Sequence, residues 1–197
     1  MQYIVHAVNS KEKLQKVSHD LGIEVDIRFR NNKLVMGHDP TDSQDDLEDM
    51  LEIYQHSLFV ANIKDSGIES LVIETLLKHN IDKFFLLDIE FPYLVKNLNK
   101  YGDYLSTRFS EYENISTSLS LVSKVKWVWI DTFSKLPIDD TNISILKDFS
   151  SCLVSPSRWG RFDDIEIYID QLKKLDYFPD YVMVEEHENK HWENLLS

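Results

Sequence analysis

The residues of this chain best suited to chemistry lie near its start. Glu24-Val25-Asp26-Ile27-Arg28 is followed by Gly37-His38-Asp39. Strand side chains alternate between faces, so Glu24, Asp26 and Arg28 share one face while Ile23, Val25 and Ile27 share the other. Two carboxylates about 6–7 Å apart along a strand, with a histidine returning on a hairpin, can hold a divalent metal beside a proton carrier. The same pattern also fits an ordinary strand with one wet face. Which reading holds depends on the elements that carry these residues.

Apolar runs rich in β-branched and aromatic residues occur at 3–6, 21–28, 58–63, 83–88, 103–108, 125–130, 151–155 and 180–184, and their composition predicts strands. Helical periodicity separates them at 10–19, 43–56, 66–79, 90–100, 111–122, 140–149, 163–175 and 187–196. Ser10 is placed to cap the first helix, and Asp139-Asp140 and Asp163-Asp164 to cap later ones. Alternating strands and helices predict a parallel α/β architecture, and eight of each predict a compact (β/α)8 TIM barrel. Residues 27–37 read as a short hairpin inserted after strand 2, with Arg30-Asn31-Asn32-Lys33 as its turn. Without a linker or low-complexity tract, residues 1–197 are expected to form a single domain.

Composition narrows the function. The hydrophobic content of 43% with 12% aromatics fits a packed core and excludes a disordered chain. With 34 acidic against 21 basic residues the formal charge is −13, which disfavours nucleic acid and anionic membranes as partners. A small anionic substrate would need a metal or converging Arg and Lys. Cys152 is the only cysteine, so no internal disulfide can form, and its apolar neighbours Leu153 and Val154 suit a buried core residue better than a nucleophile. Met1-Gln2-Tyr3-Ile4-Val5 lacks a basic leader, and no apolar run approaches the ~20 residues of a membrane span. No signal peptide and no membrane span are expected, and the cytoplasm is the default location.

In a barrel, functional groups gather where strands end. His6 closes strand 1; Glu24, Asp26 and Arg28 close strand 2, with His38 on its hairpin; Asn62 and Lys64 close strand 3. Asp88 and Glu90 follow strand 4, Arg108 strand 5, Asp131 strand 6, Ser155, Ser157 and Arg158 strand 7, and Glu185-Glu186 strand 8. No face is wet inside a barrel, and an unpaired buried carboxylate is costly. The pair Glu24 and Asp26 is therefore neutralised either by Arg28 and Lys64 or by a hard cation, and oxygen ligands favour Mg²⁺ or Ca²⁺ over zinc. His6 and His38 could then act as base and acid. His19, His56, His79, His187 and His191 are expected at helix surfaces. Trp127 and Trp129 share a strand face as core or pocket lining, and Trp159 stands in a loop where it either packs or meets substrate.

Together, His6, Glu24-x-Asp26 and Gly37-His38-Asp39 resemble the signature of the glycerophosphodiester phosphodiesterases, most strongly over residues 1–64. Asn62-Ile63-Lys64, the stretch from Thr107 to Glu113, and Val154-Ser155-Pro156 look like a subgroup of small members often encountered with bacterial surface-polysaccharide genes. The resemblance implies one divalent cation on Glu24, Asp26 and Asn62, and His6 and His38 as the acid–base pair. It implies phosphate or substrate contacts from Lys64 and Arg108, with Arg28 and Arg158 as further candidates. It implies hydrolysis of a glycerophosphodiester, or of a related polyol or sugar-phosphate diester. Three positions depart from the family pattern. Ala7-Val8 replaces Arg-Gly after the first His, Asn62 replaces a ligating Glu, and Glu185-Glu186-His187 replaces Thr-Asp-x-Pro. Asp88 could compensate for Asn62. Two rival readings stay open, a binding module on the same fold with a degenerate site and a metal-free lyase of the phosphatidylinositol phospholipase C type. Oligomeric state is not legible.

Overall fold

The computed structural model describes residues 1–42 and 45–196. The chain divides into two compact units, one made of residues 4–104 and the other of residues 1–3 with 105–197.

In residues 4–104 the order is β1 (Gln2–Val5, begun in the other unit), α1 (Lys11–Leu14), β2 (Gly22–Arg30), β3 (Lys33–Met36), β4 (Asp45–Asp46), α2 (Leu47–Leu51), β5 (Phe59–Ile63), α3 (Glu69–Lys78), β6 (Phe84–Leu87) and α4 (Phe91–Tyr101). β1, β2, β5 and β6 pair in parallel, each to the next. β2 runs on past this ladder into an antiparallel hairpin with β3, turning through Asn31 and Asn32 at positive φ, and β3 pairs antiparallel with β4. The sequence makes these strands continuous apolar runs, as strands covered on both faces require: Ile23, Val25, Ile27, Phe59, Val60 and Ala61 are all buried. Gly22 of β2 stands opposite Ile4 of β1. A Cβ there would lie 3.0 Å from Ile4 Cγ1 and 3.2 Å from both Leu58 Cβ and its carbonyl oxygen.

The second unit runs β7 (Ser106–Phe109), α5 (Ile115–Leu119), β8 (Trp127–Ile130), α6 (Ile143–Leu146), β9 (Ser150–Val154), α7 (Asp164–Lys174), β10 (Tyr181–Val184) and α8 (Asn189–Leu196). β7, β8, β9 and β10 pair in parallel, and the Gln2 amide donates to the Asp180 carbonyl at 2.7 Å. Trp127, Trp129, Cys152 and Trp192 are buried in its core.

The fold is mixed α/β, and each of the eight predicted parallel strands is present. Several local expectations are corrected. The helix expected over 43–56 is confined to Leu47–Leu51, because Asp45 and Asp46 pair with β3 instead; Ser43 and Gln44 lie outside the described residues. His56 is buried, not at a helix surface, with Nε2 3.1 Å from the Val17 carbonyl. Asp163 makes no capping hydrogen bond, whereas Ser10 accepts from the Lys13 amide at 3.1 Å as expected. Among the described residues no helix is long and apolar enough to cross a membrane.

Candidate active site

The polar groups of interest stand where β1, β2 and β5 end. The parallel register sets Asp26 opposite Asn62 and Glu24 opposite Val60, so alternation places Glu24, Asp26 and Asn62 on one face. Glu24 and Asp26 are each only 1% exposed.

Each carboxylate oxygen of the pair has a protein donor. The Glu24 oxygens accept from Asn62 Nδ2 at 2.8 Å and from the Ala7 amide at 2.7 Å. Asp26 Oδ2 accepts from Asn9 Nδ2 at 2.7 Å, and Lys64 Nζ lies 3.2 Å from Oδ1. The Asn9 side chain also accepts the Asp26 amide at 2.9 Å, which locks the loop after β1 to β2. That loop turns at Ala7, whose φ of 52° is in the left-handed region. Lys13 secures the turn by donating to the carbonyls of His6 at 2.8 Å and Ala7 at 3.0 Å.

The electrostatics follow from this enclosure. Burial pushes the Glu24 carboxyl above its usual range, and the neighbouring Asp26 charge adds to the rise. His6, the Ala7 amide and Asn62 pull in the opposite direction. His6 Nε2 stands 4.0 Å from Glu24 Oε2. Lys64 bridges Asp26 and Asp88, with Nζ 3.6 Å from Asp88 Oδ2. His6, Glu24, Asp26, Asn62 and Lys64 thus form one cluster.

The other predicted site residues stand apart from that cluster's hydrogen bonds. The His38 side chain is 58% exposed, and its Nδ1 lies 3.0 Å from the Asp39 carboxylate. An ionised Asp39 carboxylate accepts only, so with this contact the Nδ1–H tautomer is favoured. Arg28 does not neutralise the buried pair. It donates from Nε at 3.1 Å and Nη2 at 2.6 Å to the His38 carbonyl, and from Nη1 at 2.7 Å to Asp65. Asp65 also accepts from Arg30 at 2.6 Å and from the Phe29 amide at 2.9 Å. Burial pushes the Asp65 carboxyl up, but the Phe29 amide, Arg30 and Arg28 together hold it below its usual range. Arg28 therefore clamps the turn that carries His38. Arg108 and Arg158 belong to the other unit. Arg108 pairs with Glu113 at 2.8 Å and with Asp131, and Arg158 lies 5.5 Å from the Trp159 ring.

Sequence reasoning missed Asn9, Lys13 and Asp65. Asn9, three residues beyond His6 at the same strand end, was the one with a readable signal.

A hard cation suits the donor set in kind. The oxygens present are two carboxylates and the Asn62 amide oxygen, which is buried and has no hydrogen-bond partner. Among the described residues no group of three or more His, Cys, Asp or Glu could hold a metal. Any third donor would be the neutral Asn62 amide, and Lys64 adds positive charge beside the carboxylates.

No family model matches the sequence, and no curated protein matches it. Solved structures do. A glycerophosphodiester phosphodiesterase from Agrobacterium tumefaciens str. C58 superposes with a TM-score of 0.63 at 8% identity, covering 100% of this chain and 99% of that one. A glycerophosphoryl diester phosphodiesterase from Parabacteroides distasonis ATCC 8503 gives a TM-score of 0.69 at 8% identity, covering 99% of this chain and 86% of that one. At this identity the likeness is one of fold: the chain has the fold seen in glycerophosphodiester phosphodiesterases.

Proposed function

We propose that the chain is a (β/α)8 phosphodiesterase that hydrolyses a glycerophosphodiester or a related polyol or sugar-phosphate diester. The observation that carries this reading is the buried Glu24–Asp26 pair, with His6 and Lys64 set against it where parallel strands end. Burying two carboxylates side by side is costly even with a donor at each oxygen, and such perturbed groups gather at functional sites.

In this reading Glu24, Asp26 and the Asn62 amide oxygen hold one divalent cation, Mg²⁺ or Ca²⁺, which when bound stabilises negative charge on the phosphate. Lys64 adds a point charge for the same phosphate. Of His6 and His38, one takes the proton from the attacking hydroxyl and the other delivers a proton to the departing alkoxide. His6 Nε2 faces Glu24 Oε2 at 4.0 Å, and Asp39 orients His38 through Nδ1. Attack by a substrate hydroxyl forms a P–O bond as the bond to the departing alcohol breaks, leaving a cyclic phosphate, and water then opens that ring to a phosphate monoester.

His38 tests the assignment. Hydrolysis of glycerophosphoethanolamine by His38→Ala is expected to fall by about 10²–10⁴-fold with the melting temperature unchanged, since the side chain is exposed. Full activity in His38→Ala would place the acid–base pair elsewhere.

A second reading is a phosphate-ester binding module without turnover. It is favoured by the donor already present at each of the four carboxylate oxygens and by Asn62 in place of a third carboxylate. Saturable binding of the diester without product release would select it. Turnover undiminished by EDTA would instead select the metal-free lyase.

A further inference from the structure

The loops that follow β7, β8 and β9 carry a row of aromatic rings that the fold does not bury. Tyr112 is 78% exposed and Trp159 is 39% exposed. The half-buried Phe133 ring links them, with centroids 6.0 Å from Tyr112 and 4.8 Å from Trp159 and interplanar angles of 54° and 47°. Single apolar side chains at a surface need no explanation, but a contiguous aromatic row does.

The rings are held in place. Ser110 Oγ accepts the Tyr112 amide at 3.2 Å and the Glu113 amide at 3.0 Å, which tightens the turn under Tyr112. Glu111 Oε1 accepts from the Ser134 hydroxyl at 2.7 Å and from its amide, tying the loop after β7 to the loop after β8. The Arg161 guanidinium donates to the Thr132 carbonyl and ties the loop after β9 to the same place. Gly160, at φ 73°, closes the short 3₁₀ turn Pro156–Trp159. Three loops pinned to one another present a rigid surface, which lowers the entropic cost of binding.

The edges of the row are polar. The Tyr112 hydroxyl and the Trp159 indole N–H have no hydrogen-bond partner among the described residues, and the Arg158 guanidinium has only the Trp159 ring, 5.5 Å away. Ring faces to stack on, with donors at the rim, match a molecule that has an apolar C–H face and a periphery of hydroxyls. A polyanion is disfavoured by the net charge of −13. A quaternary ammonium is disfavoured because Arg158 already supplies a cation to the Trp159 ring.

We infer that Tyr112, Phe133 and Trp159, with Arg158 at the rim, form a stacking site for a saccharide ring. The inference goes beyond the phosphodiesterase reading and holds whether or not a diester is cleaved.

Trp159 supplies its own reporter, because Trp127, Trp129 and Trp192 are all buried. Glucose, galactose and N-acetylglucosamine are titrated into the full chain while tryptophan emission is followed, with choline and AMP as comparators. At least one sugar is expected to give a saturable blue shift. Trp159→Phe should abolish the shift while saturation transfer from protein to sugar persists by NMR. Tyr112→Ala, at an exposed position, should weaken binding about three- to tenfold with the melting temperature unchanged. The inference is overturned by no saturable response to any of the sugars in either measurement, by an unchanged dissociation constant in Tyr112→Ala, or by tighter binding of choline or AMP.

Discussion

Glu24 is the residue on which the proposed chemistry turns. Its carboxyl is buried, accepts two N–H groups, and stands beside a second carboxylate and an imidazole. Its acidity is weakened first by burial and then by Asp26. A carboxyl raised in the folded state contributes stability that is fully present below its unfolded value, near 4.3, and is lost as pH rises through the folded value. Glu24→Gln removes that loss, and Asn62 can offer either end of its amide to the new side chain. Thermal melts at successive pH values from acid to neutral should therefore show the variant gaining on the wild type as pH rises, by about 1–3 kcal/mol overall. A gap that stays constant with pH, or closes, would contradict the assigned environment. The same residue shows how far sequence alone reaches. Glu24 and Asp26 could be paired on one face from alternation, and Lys64 named as a neutraliser. Arg28 was equally plausible on paper, but its guanidinium goes to the His38 carbonyl and Asp65, partners set by a hairpin and a loop that meet only in the fold.

At the scale of elements, the site depends on the junction of β1, the loop after it, and β2. Strand identity was legible because β-branched and aromatic runs alternate with amphipathic stretches, and the parallel strands fall where those runs occur. The loop was not legible. Its positive φ at Ala7, the two hydrogen bonds between Asn9 and Asp26, and the Lys13 staple arise from backbone geometry that periodicity does not encode. Likewise His56 looked like a surface residue, yet it packs against Tyr54 with ring centroids 5.6 Å apart and is buried. Gly22 controls how closely β1 lies against β2. Gly22→Ala forces a Cβ against Ile4 and Leu58 and should cost about 1–3 kcal/mol, lowering the melting temperature by roughly 2–4 °C per kcal/mol. An unchanged melting temperature would mean that the strands part without cost, and that the cluster is held by its hydrogen bonds alone.

For the molecule as a whole, a chain of net charge −13 that acted on an anionic ester, as proposed, would bind it only through positive charge concentrated at one place. Lys64, His6 and a cation on Glu24, Asp26 and Asn62 would supply it. Parallel α/β barrels gather functional groups at strand ends, while a neutral amide at Asn62 lowers the charge available to hold a metal. Release of phosphate monoester from a panel of glycerophosphodiesters, with Mg²⁺ or Ca²⁺ and with EDTA, by wild type and Glu24→Gln, tests the central claim most directly. The account predicts turnover by the wild type that EDTA abolishes and that Glu24→Gln lowers at least about 10²-fold. Wild-type turnover that survives in Glu24→Gln, or no turnover of any diester with either metal, would contradict it.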